Sequence, residues 1–366
     1  IILNEVAGNV GQTVRYGTGA AGTTSTFADM EQAIARMASG DVGVVIVQGT
    51  NPAYSLPESA GFREAFEQVP FKVSLASAPD ETAAMADLVM PDRHFLESWG
   101  DSAPRSGVAT LQQPVMQNVP HFDSKQAGDA LLSVGSHLGH DLGAATFYEY
   151  LRARYQTILD GDFETAWRGA LRTGVIDTGA QVPQTLALQA PDAALTFDVP
   201  AFDGDGDLTL LVHPSSRFGG GEFSNSPWLQ ELPDPVSKIT WHSWLEMNPN
   251  TAEARGIVEG DIVTVSSPHG EVEVPVWIYP GIREDTVALA MGGGHTDMGR
   301  WATDQGVNAV ALLPAVAEQP SGSFVTVSTT VTVVPTGERR RLASIAGSDL
   351  QYDRPIAPAV ALADLG

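Results

Sequence analysis

NPNTAEARGIVEGDIVTVSSPHG, from Asn248 to Gly270, packs a helix end, a tight turn and the start of a hairpin into one short run. Thr251 to Arg255 has helical composition, and Gly256 offers the left-handed cap that stops it. Glu259-Gly260-Asp261 is a turn that needs positive φ at Gly260, and Ile262-Val263-Thr264-Val265 is β-branched throughout. Ser267-Pro268-His269-Gly270 returns the chain into Glu271 to Ile278, where Val272, Val274 and Val276 alternate with Glu271, Glu273 and Pro275. That alternation marks a half-buried strand. Elements this short and this closely spaced predict a small closed β-barrel.

The 366 residues allow two or three domains, each with its own core. With 44 acidic against 20 basic residues the net charge is −24, which argues against nucleic acid, since phosphate contacts need clustered Lys and Arg. The acidity serves solubility. There is no cysteine, so disulfides, thiolate-bound iron–sulfur clusters and Cys-ligated zinc are excluded within this sequence. No apolar run approaches the ~20 residues of a membrane span, and no signal peptide opens the sequence. Ile1-Ile2-Leu3-Asn4 begins without Met, inside what reads as an element, and implies a piece of a longer polypeptide.

Around the barrel the rest falls into place in chain order. Residues 1–25 read as loop, and their glycines (Gly8, Gly11, Gly17, Gly19, Gly22) do not fit a dinucleotide fingerprint between strand and helix. Thr26–Ser39 is a helix with Phe27, Met30, Ile34 and Met37 at helical spacing. Val42–Val47 is an unbroken apolar run, read as a fully buried parallel strand ending at Gly49-Thr50-Asn51-Pro52. A helix at Gly61–Gln68, a strand at Phe71–Ala76 and a helical turn at Thr82–Asp87 leading to Leu88-Val89-Met90-Pro91 continue a βαβ pattern. A long loop with two extended pieces fills 92–126; helices follow at Gln126–Leu138, Thr146–Leu159 and Ala166–Thr173. Strands are expected at Leu208–His213, Thr286–Met291 and Thr326–Val334, the last followed by a turn at Thr336-Gly337. Glycine loops occupy 214–227 and 292–295.

Motifs for local chemistry are sparse. Asp203, Asp205 and Asp207 alternate like the start of a calcium loop but lack its closing glutamate, and read as a surface turn. Asp87 and Glu97 suit a cap and a hydrogen bond better than an acid–base pair. His137 and His140 flank a helix-ending Gly139, and neither a metalloprotease nor a serine-hydrolase motif occurs; no catalytic residue and no metal ligand is assigned.

VVIVQGTNPAYSLP, ETAAMADLVMP and FLESWG in the first half, and the 248–282 run with ALAMGGGHTDMGRWATDQGVNAVALL in the second, resemble the molybdopterin oxidoreductase superfamily. The resemblance implies an α/β fold: a parallel-sheet, Rossmann-like domain followed by a six-stranded double-psi β-barrel. The boundaries expected are 1–145 for the α/β domain, 146–205 for a helical segment and linker, 206–345 for the barrel, and 346–366 for a tail. PDPVSKITWHSWLEMNPNTA, GGGHTDMGRW and YDRPIAPAVALADL further resemble the large iron–sulfur subunit of alternative complex III. That resemblance implies a non-catalytic middle part of a quinol:electron-acceptor oxidoreductase subunit, with iron–sulfur clusters elsewhere in the same subunit and no cofactor here. Its implied partners are a multiheme cytochrome c and integral quinol-binding subunits, at the outer, periplasmic face of the cytoplasmic membrane.

The alternative is part of a catalytic molybdenum or tungsten enzyme of polysulfide or tetrathionate reductase type, holding molybdopterin guanine dinucleotide. For that ligand the resemblance implies contacts from Gly49 and Asn51 after the first strand, and from His213, Ser215, Arg217, Asn225 and His295 on the barrel's glycine loops. Each has a plain reading beside it: a turn at Asn51-Pro52, and loop packing for the others. Gly100 to Gly107 departs from the family's cofactor-packing segment, lacking its asparagine and acidic residue and placing Pro104 where a backbone donor would be. A third reading is a purely interactive barrel with no redox role.

Overall fold

A computed structural model of the chain describes residues 2–15, 25–179, 201–318 and 321–347. Gly17, Gly19, Gly22, the Pro/Asp-rich stretch at 180–200 and the closing YDRPIAPAVALADL run lie outside them. Two compact units emerge. Ile1–Pro52, Gly61–Ala201 and Ala317–Phe324 form the first; Ala53–Ala60, Phe202–Val316 and Val325–Gly366 form the second.

In the first unit, α1 (Ile2–Val6) is a short helix where the composition suggested only loop. Helix α2 (Phe27–Ala38) is held at its start by a capping box in which Thr26 and Asp29 exchange side-chain and backbone hydrogen bonds, and it buries Phe27, Ile34 and Met37. Strand β1 (Val44–Val47) is followed by the helical turn α3 (Pro52–Ser55), whose residues from Ala53 on belong to the second unit. Helix α4 (Phe62–Glu67), strand β2 (Phe71–Ser74), helical turn α5 (Glu81–Ala84) and strand β3 (Leu88–Val89) complete a parallel sheet in the order β1-β2-β3.

The apolar run at Val42–Val47 is not fully buried. Among the described residues β1 has β2 as its one neighbour, and Val44 and Ile46 are 55% and 49% exposed. An unbroken apolar run therefore made an edge strand with one open face. Strands β4 (Gly100–Arg105) and β5 (Val108–Gln112) form a hairpin from the two extended pieces. Helices α6 (Ala127–His137), α7 (Phe147–Gln156) and α8 (Phe163–Thr173) then lead to β6 (Val175–Asp177), which pairs with β5. Leu151 and Tyr155 of α7, on one face as their spacing requires, pack with Trp167 and Ile176 in a core that also engages Trp99.

The second unit contains a closed barrel of six strands: β7 (Leu208–His213), β8 (Leu245–Met247), β9 (Asp261–Ser267), β10 (Gly270–Ile278), β11 (Thr286–Ala290) and β12 (Thr330–Arg339). Around the barrel they run β10-β8-β11-β7-β12-β9. The pairs β10/β8 and β11/β7 are parallel and the others antiparallel. Helices α9 (Pro227–Glu231), α10 (Pro249–Arg255) and α11 (Gly299–Ala302) sit in the connections. Gly256 caps α10 at φ 66° and Gly260 turns into β9 at φ 84°, the two left-handed positions expected from the sequence. In the hairpin Val265 faces Val272 and Val263 faces Val274.

The bore is filled by alternate residues: Leu210, Val212, Leu245, Met247, Val263, Val265, Val274, Val276, Val287, Leu289 and Val331 are all essentially inaccessible. Burying each such side chain is worth roughly 1.5–3 kcal/mol. The expected turn at Thr336-Gly337 is instead an irregularity inside β12, whose register to β9 shifts between Pro335 and Arg339. Pro335 cannot donate to a ladder, so the strand bulges there and continues. No helix of the described residues is long and apolar enough to cross a membrane.

Candidate functional site

Strand β7 ends at His213, and Pro214 forces the chain out of the sheet. Ser215 then organises a tight loop: its hydroxyl accepts from the amides of Arg217 (3.2 Å) and Phe218 (3.3 Å), and its backbone exchanges two hydrogen bonds with Gly219. The turn drives Arg217 inward, leaving it 5% exposed. Its Nη1 donates to the carbonyls of Gln230 (3.4 Å) and Leu232 (3.3 Å), and the guanidinium lies 4.5 Å from the centre of the Phe218 ring and 5.7 Å from that of Trp244. Its Nε has no hydrogen-bond partner among the described residues. Burial lowers the Arg217 pKa, against the pull of Asp234. Burial alone would push Asp234 up, but donors from Ser237, Ser216 and Val236 hold it below the usual carboxylate range.

Arg217 borders a cavity of about 410 Å³. This cavity is not the bore of the barrel. It lies on the outer face of β7, β11 and β8, where Leu211, Ala288 and Glu246 share a register, and the loops carrying Arg217, Trp241, His242 and Trp244 line it too. Trp241 holds φ at +63° while the His242 amide donates to the Thr240 carbonyl at 2.7 Å, a γ-turn. Such a backbone stores ~1–3 kcal/mol at the rim of the cavity.

Two titratable groups on the wall are pushed toward neutrality. Burial raises Glu246, with His213 and a hydrogen bond from Trp244 opposing. Burial lowers His242, helped by the cations Arg340 and Arg217. As pH falls below 6.5, the ordinary value for histidine, the unfolded chain takes up a proton that folded His242 refuses, so stability is lost down to the depressed folded pKa. Glu246 runs the other way: its contribution is complete below 4.5 and is lost as pH rises through its raised folded pKa. In urea unfolding followed against pH, His242→Gln should flatten the acid-side loss and Glu246→Gln the loss toward higher pH. Variants whose profiles overlay the parent's would remove both groups from the account.

The second glycine loop is closed by an aromatic ring. Tyr54, 5% exposed, stacks on His295 with ring centres 3.7 Å apart and planes 17° from parallel. Its hydroxyl accepts from the Gly292 amide (3.2 Å) and donates to the Gly293 carbonyl (2.8 Å). A Cβ built on Gly221 would stand 2.6 Å from this ring, so a glycine is required there. Four more loop amides are engaged: Gly219 to Ser215, Gly220 to the Glu222 carboxylate, Gly221 to Phe218, and Gly294 to Gln305.

Of the residues singled out from sequence, His213, Ser215 and Arg217 come together on the cavity. Asn225 and His295 sit on the same loops but off its lining; the Asn225 side-chain oxygen Oδ1 accepts the Trp301 amide at 2.9 Å. Gly49 and Asn51 belong to the first unit. Gly49 is exposed at φ 64°. Asn51 donates to Glu81 and accepts from the amide and hydroxyl of Thr82, tying the end of β1 to the start of α5. Asn51→Ala should therefore cost ~2–3 kcal/mol in urea unfolding, since it strands partly buried donors; a residue that only met a ligand would leave stability unchanged. Sequence reasoning did not single out Tyr54, Asp234, His242 or Glu246. The apolar–acidic–apolar run Leu245-Glu246-Met247 was the available signal for the strand carrying the last of them.

Comparison with known proteins agrees with this architecture. A family model described as the Molydopterin dinucleotide binding domain matches residues 230–324. The chain is 33% identical over 293 residues to the menaquinone reductase, molybdopterin-binding-like subunit of Nitratidesulfovibrio vulgaris, covering 76% of this chain and 40% of that protein. It is 24% identical to the molybdopterin-containing subunit of thiosulfate reductase of Salmonella typhimurium, covering 76% of this chain and 42% of that one. It thus spans about two-fifths of the length of these curated relatives. Acetylene hydratase from Pelobacter acetylenicus shares the fold, with a TM-score of 0.65 at 12% identity over 87% of this chain and 47% of that one. The parallel sheet, the closed barrel and these matches together make the chain a member of the molybdopterin oxidoreductase superfamily.

Proposed function

We propose that this chain is a non-catalytic, molybdopterin-oxidoreductase-like scaffold within the iron–sulfur subunit of an alternative complex III, a quinol-oxidising electron-transfer complex. The observation that carries the reading is the state of the glycine loops. A pterin dinucleotide needs free backbone N–H groups for its pyrophosphate. Here Gly219, Gly220, Gly221, Gly292 and Gly294 spend theirs inside the protein, and the Tyr54 ring lies against Gly221 and His295. These loops do not fit the dinucleotide. The relative at 33% identity, named as molybdopterin-binding-like, supports the same reading.

On this reading the six strands form a double-psi barrel spanning 206–345, preceded by an α/β domain over 1–145 and a helical segment over 146–205, with 346–366 as a tail. Iron–sulfur clusters lie elsewhere in the subunit. Electrons pass from quinol through those clusters and the hemes of a multiheme cytochrome c, beside integral quinol-binding subunits on the periplasmic face of the membrane. This part holds the shape on which they assemble and no reaction step runs through it.

A second reading, that the chain grips molybdopterin guanine dinucleotide in a working reductase, is favoured by the domain match over 230–324 and by the unpartnered Nε of Arg217. Metal analysis of the purified complex separates the two. Molybdenum and tungsten are expected at background level beside stoichiometric iron; one molybdenum or tungsten per subunit overturns the scaffold reading.

A further inference from the structure

A second groove, of about 690 Å³, lies in the barrel unit beside the far end of β12. Ile239 and Leu342, buried in a cluster with Trp244, line it, together with Trp277, which packs against that cluster, and Ile278. Arg339, Arg340 and Arg341 border it, with Glu259. These are three consecutive cations in a chain with only 20 basic residues and a net charge of −24. Arg339 is committed: its Nε meets Asp261 at 2.9 Å and its Nη2 donates to the Glu259 carbonyl at 2.9 Å. Arg340 and Arg341 are exposed and make no ion pair or side-chain hydrogen bond among the described residues. The Arg340 amide donates to Gly260 at 2.7 Å, and Thr240 and Ile345 lace the following residues to the 238–240 segment, so the backbone beneath both guanidiniums is fixed.

We propose that this groove docks an acidic segment of a partner polypeptide, its carboxylates meeting Arg340 and Arg341 and an apolar side chain resting on Trp277 and Ile278. Charge complementarity selects this occupant. An anionic bilayer would face the whole excess of 24 negative charges, whereas a short segment samples only charges within about a Debye length, ~8 Å at physiological ionic strength. The groove is also concave, which suits a chain segment and not a flat membrane surface. The inference is independent of what the first cavity holds.

The test uses the full-length subunit and a fluorescein-labelled Asp-Glu-Leu-Asp-Glu peptide, read by fluorescence anisotropy at low and physiological salt. Reversing both charges in Arg340→Glu/Arg341→Glu should weaken binding about tenfold or more. Arg340→Lys/Arg341→Lys should keep most of it. Glu259→Gln, which removes the opposing carboxylate at the rim, should tighten binding roughly twofold. Thermal melts of each variant verify folding. Equal affinity of parent and charge-reversed protein overturns the proposal. So does a parent that ignores the peptide but sediments with phosphatidylglycerol vesicles through the same two arginines, which would make the groove a lipid-facing patch.

Discussion

Tyr54→Ala is expected to destabilise the barrel unit by about 4 kcal/mol, and Tyr54→Phe by about 1–2 kcal/mol. The larger figure combines two losses. Removing a ring that is 5% exposed and stacked on His295 leaves a hole that rigid glycine-loop backbone cannot fill. Removing the hydroxyl strands the Gly292 amide and the Gly293 carbonyl, both of which it serves. Phenylalanine keeps the stack and forfeits only the second contribution. Guanidinium unfolding followed by tryptophan fluorescence reads the difference directly, because five of the seven tryptophans (Trp228, Trp241, Trp244, Trp277 and Trp301) lie in this unit. The pair of variants also bears on the scaffold reading. If the ring seals the loops in the working protein, Tyr54→Ala lowers stability and leaves molybdenum and tungsten at background. A Tyr54→Ala protein as stable as its parent would mean that the seal contributes nothing.

Tyr54 shows where sequence reasoning stops. Local signals announce local structure: Gly256 and Gly260 announced their left-handed turns, and the valine alternation after Gly270 announced β10. Strand β8 is only three residues long, too short for a period to register, yet it closes the barrel between β10 and β11. Nothing in the composition of Val42–Val47 separates a covered strand from an edge strand, because burial depends on neighbours far away in sequence. The site had the same limit. His213, Ser215 and Arg217 are adjacent in sequence and could be grouped from it. The partners that close the glycine loops cross 238 and 239 positions, from Tyr54 to Gly292 and Gly293, and only the folded chain brings them together.

Gly294→Ala tests that closure from the other side and is expected to cost about 3 kcal/mol or more. Gly294 sits at φ +73°, in the region where a side chain adds ~1–2 kcal/mol of strain. A Cβ there would also approach the Asn308 amide nitrogen to 2.2 Å and the Val307 carbonyl carbon to 2.6 Å. Both obstacles are backbone, so no side chain can rotate away. The 307–310 segment is pinned as well, by Ser243 on the Val307 amide, by the Asn308 side chain on the Tyr54 carbonyl, and by Asn308 capping the turn at Val310. Yielding would therefore pull on the 2.6 Å bond from the Gly294 amide to Gln305 and on the Tyr54 seat together. Gly256→Ala is the control: its φ is +66° but nothing lies within 4 Å of the added carbon, so it should lose only the strain. Denaturant midpoints that fall equally in the two variants would show that the loop tolerates the intrusion and that its tight packing does not hold the ring in place.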